Sequence, residues 1–109
     1  VSKYGNQQTA ASNGKVFASK RECRRYEELR LLYRMGKITE PECQVRYELI
    51  PNQGGERGVT YIADFVYREL PAEPPGSLHV EDAKGFTTKE YIIKRKLMKW
   101  VHGITIEEV

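Results

Sequence analysis

Apolar and polar positions along this chain recur with two different periods, and the switches between them mark its elements. Glu22, Tyr26, Leu29 and Tyr33 follow one another at helical spacing. Before them, Ser19-x-x-Glu22 has the form of a capping box, in which the serine oxygen receives an early helical N–H and the glutamate reaches back. Gly36 supplies a stop, so the pattern predicts a helix from Ser19 to Met35 with an acid at the head of an aromatic stripe. From Gln44 to Ile50 the period becomes two. Val45, Tyr47 and Leu49 share one side of a predicted strand that ends at Pro51.

A turn over 51–58 separates it from a second strand, Val59 to Glu69, and a loop over 71–77 leads to a third, Leu78 to Lys84. Thr87-x-x-Glu90 repeats the capping box and opens a second helix running to about Val101. Ile93, Leu97 and Val101 form its expected buried stripe with Trp100 beside them, while Lys89 and Lys96 face outward. Gly103 interrupts the helix, and Ile104, Ile106 and Val109 predict a last short strand. The order αβββαβ predicts an α/β fold, a small mixed sheet flanked by helices. Residues 1–16 are polar and without a sustained period; they are expected to form a flexible arm, leaving 17–109 as a single domain.

Composition narrows the class. With 109 residues and 39% hydrophobic content the chain can build one core. No run has the length and apolarity of a membrane span, and residues 1–8 lack the apolar segment of a signal peptide, so a cytoplasmic protein without a membrane role is expected. Cys23 and Cys43 show no CxxC spacing, which predicts reduced thiols, buried or half-buried, rather than zinc ligands or a disulfide. His79 and His102 complete no standard metal pattern. The glycines form no phosphate loop, which disfavours a nucleotide triphosphatase.

The formal charge of +3 says less than its distribution. Lys20, Arg21, Arg24, Arg25, Arg30 and Arg34 crowd the first helix, and Lys84, Lys89, Lys94, Arg95, Lys96 and Lys99 crowd the region of the second. Two such surfaces suit a phosphate backbone, although charge alone fits an ordinary solubilising surface as well.

Asp64 lies within the apolar and aromatic run Tyr61-Ile62-Ala63-Asp64-Phe65-Val66-Tyr67, and a buried carboxylate is costly unless paired, hydrogen-bonded or bound to a cation. Asp82 and Lys84 are two apart in a strand and share a face, with Glu81 and Ala83 on the other, so parity selects Asp82 as the partner of Lys84. Two carboxylates beside an ammonium suit a divalent metal and phosphoryl chemistry, while an Asp/Lys salt bridge at a strand end is the simpler explanation.

Taken together, these residues resemble the PD-(D/E)XK nuclease superfamily, in particular its small phage-associated, resolvase-like members. Phe17-Ala18-Ser19-Lys20-Arg21-Glu22 with Arg25-Tyr26-x-x-Leu29 is similar to their first helix and its active-site glutamate. Gln44-Val45-Arg46-Tyr47 is similar to the glutamine-containing strand, Tyr61-Ile62-Ala63-Asp64-Phe65 to the first acidic motif, and Val80-Glu81-Asp82-Ala83-Lys84-Gly85 to the second, followed by Thr87-Thr88-Lys89-Glu90-Tyr91. Ala63 replaces the proline of the family's name. The resemblance implies a restriction-endonuclease-like fold and a Mg2+-dependent endonuclease, with Mn2+ able to substitute. It further implies that Asp64 and Asp82 hold metal with the Ala83 carbonyl as a further oxygen, that Glu22 binds a metal or orients its water, that Lys84 assists the water or developing anion, and that Gln44 supports the site. Lys20, Arg21, Arg24, Arg25, Lys89, Lys94 and Arg95 are the expected contacts to DNA.

Holliday-junction resolution by a homodimer, encoded by a phage or prophage and acting in the host cytoplasm, is the specific activity implied by the same resemblance. A generic structure-specific or nicking endonuclease is the alternative. So are a non-catalytic DNA-binding module and an interaction protein of a phage recombination complex that uses Tyr67, Tyr91 or Trp100.

Overall fold

A computed structural model of the chain describes residues 7–70, 77–84 and 86–109. Residues 1–6 of the expected arm, residues 71–76 of the expected loop, and Gly85 of the second acidic motif lie outside the described residues. In chain order the elements are β1 (Thr9–Ala10), β2 (Val16–Phe17), α1 (Lys20–Arg34), β3 (Glu42–Ile50), β4 (Val59–Arg68), β5 (Leu78–Asp82), α2 (Lys89–His102) and β6 (Glu107–Glu108). The last four strands form one mixed sheet in the order β3-β4-β5-β6, antiparallel except for the β5–β6 pair, and the two helices flank it. This is the restriction-endonuclease-like α/β arrangement expected from the sequence.

Within the stretch expected as an arm, β1 and β2 pair into a two-stranded antiparallel hairpin. It is held to α1 by the Ser12 N–H donating to Glu27 at 2.9 Å, and by Ala11 and Phe17, both buried in the core beneath that helix. Short polar segments carry almost no periodic signal, so only these tertiary contacts reveal the hairpin.

Helix α1 begins as the capping pattern predicts, with the Ser19 side chain accepting from the Glu22 N–H. Its buried face is Glu22, Cys23, Tyr26 and Leu29; Tyr33, expected in that stripe, is 37% exposed because the core ends a turn earlier. The second cap is displaced by one residue. Thr88, not Thr87, has extended backbone and accepts from the Tyr91 N–H at 3.1 Å, while Gly103 closes α2 in the left-handed conformation at φ 68°.

The expected α2 stripe is also corrected. Tyr91 and Met98 face the core with Leu97 alongside, whereas Ile93, Val101 and Trp100 are 58%, 45% and 86% exposed. Apolar residues occupy two sides of this helix, and the choice falls to the side where Tyr91 also finds a hydrogen-bond acceptor in Glu108 at 2.9 Å. The last strand is shorter than the pattern suggested: Ile106 is buried, and only Glu107 and Glu108 join the ladder.

Two cores result. One gathers Phe17, Cys23, Tyr26, Leu29, Phe65 and Tyr67 under α1; the other gathers Leu49, Tyr61, Ala63, Val80, Tyr91 and Met98 toward α2. Cys23 is a buried and Cys43 a half-buried free thiol. Among the described residues no helix is long and apolar enough to cross a membrane.

Phe65 has no exposed surface and packs near both Phe17, tilted to it, and Tyr26, stacked with it, with ring centroids 6.2 and 6.3 Å away. Phe65→Ala is expected to cost about 3–5 kcal/mol of stability. Urea unfolding followed by circular dichroism checks this; a loss under about 1 kcal/mol would contradict the assigned core.

Candidate active site at the seam of the two cores

The register of the sheet sets the site. Cys43 pairs with Phe65, and Phe65 with Glu81; one step along each antiparallel ladder, Gln44, Asp64 and Asp82 form the neighbouring row across three strands. At this row the sheet changes its cover. Cys43 and Phe65 pack in the α1 core, whereas Val45 and Ala63, two residues away on each strand, pack in the α2 core. Strict alternation would put these pairs on one face, so the strands must twist locally at Gln44 and Asp64. Gln44 is the non-glycine residue with positive φ among the described residues, at 55°, a conformation that costs on the order of 1–2 kcal/mol.

That strained residue holds two acids. Its amide donates to Asp64 Oδ1 at 3.2 Å and to Glu22 Oε2, from α1, at 3.4 Å. Strand β5 leaves the ladder after Asp82, earlier than the predicted end at Lys84, and this frees the Ala83 N–H to donate to Asp64 Oδ2 at 2.8 Å. Asp82 is buried, receives the Tyr61 hydroxyl on Oδ2 at 2.6 Å, and pairs through Oδ1 with the Lys84 ammonium at 3.3 Å. Lys84 also lies over the Tyr91 ring, 4.2 Å from its centroid. The predicted Asp82/Lys84 pairing, with Glu81 directed elsewhere, is what the geometry shows.

Electrostatics mark the cluster. Burial, followed by the charges of Asp64 and Asp82, pushes Glu22 up to about 7. Burial also raises Asp64; the Ala83 N–H opposes the shift, the Asp82 charge adds to it, and Gln44 and Lys84 oppose it. Burial and then the hydrogen bond to Asp82 push the Tyr61 hydroxyl far above its ordinary value, which keeps it a donor. Carboxylates whose pKa values are raised by burial and by one another mark a candidate functional site.

Among the described residues, no group of three or more acidic, histidine or cysteine side chains converges closely enough to hold a metal ion. The donor chemistry nevertheless suits a hard divalent cation, since carboxylate oxygens of Asp64 and Asp82 stand in adjacent strands beside the Ala83 peptide. A cation of the magnesium kind is commonly held by one or two carboxylates, with waters and phosphate oxygens completing its shell, so two carboxylates are a sufficient set.

Of the expected DNA contacts, Lys20, Arg21, Arg24 and Lys89 are exposed. Lys94 pairs with Glu90 at 3.2 Å and Arg95 with Glu108 at 2.8 Å, both at the surface. Arg25 has a different task. Its guanidinium grips Glu81 through Nε at 2.8 Å and Nη2 at 2.7 Å, and the Tyr67 hydroxyl donates to the same carboxylate. Glu81 is 1% exposed, so this pair bolts α1 to β5 immediately beside Asp82, one helical turn from Glu22. The sequence offered one signal for it: a strand acid whose parity points it away from the site still requires a partner. Tyr61 was missed as well, because a strand tyrosine on an apolar face looks like any core aromatic.

A cleft of about 270 Å3 opens beside Asp82 and Lys84, with Thr60, Tyr61, Thr88, Tyr91 and Lys94 among its walls. Of the row's three residues, Asp82 lines it. The sequence model of the family described as "Protein of unknown function (DUF1064)" matches residues 1–103. No curated protein and no solved structure matches the chain.

Two outcomes follow from the electrostatics. Arg25→Met leaves the Glu81 carboxylate buried without its cation. It is expected to cost roughly 2–4 kcal/mol in chemical unfolding, below the extreme for a broken buried pair because Arg25 keeps some exposure; an unchanged midpoint would show that the bolt carries no load. For Glu22 the folded-state value of about 7 exceeds the ordinary 4.5, so the folded state binds the extra proton. Its contribution to stability is complete below about pH 4.5 and is lost as pH rises through 7. Glu22→Gln should therefore stabilise the metal-free protein at pH 8, on the order of 1 kcal/mol after discounting for solvent screening, and lose that advantage at pH 4. Thermal melts in chelator at both pH values read the difference.

Proposed function

This protein belongs to the DUF1064 family, and we propose that it is a divalent-metal-dependent endonuclease that hydrolyses DNA phosphodiester bonds. One observation carries the reading. Gln44, Asp64 and Asp82 stand in a single row across three strands, with Glu22 brought to them by α1 and Lys84 as the nearby ammonium.

Asp64, Asp82 and the Ala83 carbonyl would hold the cation. Bound there, Mg2+ or Mn2+ supplies positive charge to the phosphoryl oxygens and lowers the pKa of a water. The chain's own residues do the rest. Glu22, with its proton affinity raised to about 7, is poised to orient a water and accept its proton near neutral pH. Lys84, held between Asp82 and the Tyr91 ring, places an ammonium where charge develops on the phosphoryl group. Tyr61 fixes the rotamer of Asp82, and Gln44 keeps Glu22 and Asp64 in register. Lys94 beside the cleft, with Lys20, Arg21, Arg24, Lys89 and Arg95 outside it, supplies positive charge for the flanking backbone. Arg25 belongs to the framework rather than to the DNA surface.

Branched DNA is the substrate we favour, with a Holliday junction as its specific form, by resemblance to resolvase-like nucleases. Two symmetric cuts need two sites, so the proposal includes a homodimer. The test compares four-way junction, flap, linear duplex and single strand, each with magnesium, with manganese and with chelator. Paired symmetric cuts near the branch, lost in chelator and reduced on the order of a thousandfold by Asp64→Ala or Asp82→Ala, are expected. Folded variants that still cut at the parent rate would remove both acids from the mechanism.

A further inference from the structure

Helix α2 turns its least soluble side chain outward. Trp100 is 86% exposed, and helical spacing sets it on one side with Lys89, Ile93 and Lys96, away from the buried Tyr91 and Met98. The indole does not stand alone on a flat surface. It forms part of a cleft of about 530 Å3 whose other walls are Arg95, Lys96, Lys99, Thr105 and Ile106, three cations and no acid. Arg95 is engaged by Glu108, whereas Lys96 and Lys99 make no ion pair among the described residues. An uncommitted aromatic ring rimmed by cationic side chains asks for a partner that is anionic and has an accessible π-face.

We infer that this cleft binds an unpaired nucleic-acid strand, one base stacking on Trp100 while flanking phosphates lie on Lys96 and Lys99. Charge complementarity selects a polyanion. The indole then selects single strand over duplex, because bases stacked within a helix offer it no face, whereas unpaired bases stack readily on aromatic side chains. The place on the fold is consistent with this role. Arg95 adjoins Lys94, which lines the cleft beside Asp82 and Lys84, so basic groups of one helix serve both concavities. In a branched substrate an unpaired segment held at Trp100 would be led along α2 toward the acidic row. That last role rests on the nuclease reading; the binding itself does not.

Trp100 is the only tryptophan of the chain, so its intrinsic fluorescence reports on the site directly. The full chain in chelator is titrated with single-stranded oligothymidylate and with a blunt hairpin duplex of equal charge whose loop is a base-free linker. Quenching by the single strand, and not by the hairpin, is expected. Anisotropy of a labelled oligonucleotide then reads the variants: Trp100→Ala should weaken binding on the order of tenfold, with Trp100→Phe recovering most of it. The double variant Lys96→Glu/Lys99→Glu should lower the salt dependence of single-strand binding by roughly 1 to 2 in log–log slope. Equal binding by Trp100→Ala and the parent chain overturns the inference, as does equal quenching by the hairpin. Quenching that rises with protein concentration in the absence of DNA, together with dimer sedimentation lost in Trp100→Ala, assigns the cleft to a second copy and also overturns it. Because chelator removes metal-dependent cutting, a chain that never cuts DNA can still pass this test, and a junction-cutting chain can still fail it.

Discussion

Everything around the site answers to one electrostatic constraint: three carboxylates, Glu22, Asp64 and Asp82, are held near one another and partly out of water. Left alone, such a cluster would swell or neutralise itself. Here it is restrained by the Gln44 amide, the Ala83 N–H, the Tyr61 hydroxyl and the Lys84 ammonium, each reaching a different acid or a different oxygen. The restraint is accompanied by backbone strain at Gln44, within a strand where a β conformation would be free of cost. Such a concentration of negative charge is what the proposed divalent cation would offset.

The seam between the two cores is what makes the arrangement possible. A row of polar residues in the centre of a sheet covered on both faces would be fully buried, and none of its charges could meet a substrate. Where the sheet passes from the α1 core to the α2 core, Asp64 is only half-buried. Neighbouring residues of β5 then serve opposite purposes. Glu81 ties α1 down through Arg25 and Tyr67, and Asp82 faces Tyr61 and Lys84, so the position of α1, and with it Glu22, is set within one residue of the acid it serves.

The two faces of α2 are divided in the same way. Its inner face carries Tyr91, which packs in the core, accepts the Lys84 cation over its ring and donates to Glu108 of β6. Glu108 stands in the same row of the sheet as Asp82 and also pairs with Arg95. One tyrosine thereby links the acidic row, the edge strand and the base of the outer basic cleft. The outer face keeps Trp100 and its lysines free of any such commitment.

The sequence alone determined the order of the principal elements, the caps to within one residue, and the pairing of Asp82 with Lys84. Each of these is local: hydrophobic period, cap chemistry and strand parity depend on residues a few positions apart, and parity sufficed to separate Asp82 from Glu81. What required the tertiary structure was every choice between chemically equivalent options. Ile93 and Val101 are as apolar as Met98, and only the sheet decides which side of α2 it accepts. Arg25 carries the same charge as Arg24, and only the approach of β5 turns one into a buried partner of Glu81 while the other stays in solvent. Residues 9–17 have too weak a period to announce a hairpin, and Tyr61 too ordinary a setting to announce a hydrogen bond. Gln44 is legible as a polar residue in a strand, but its left-handed turn, and the change of core that accompanies it, arise from packing two helices against one twisted sheet.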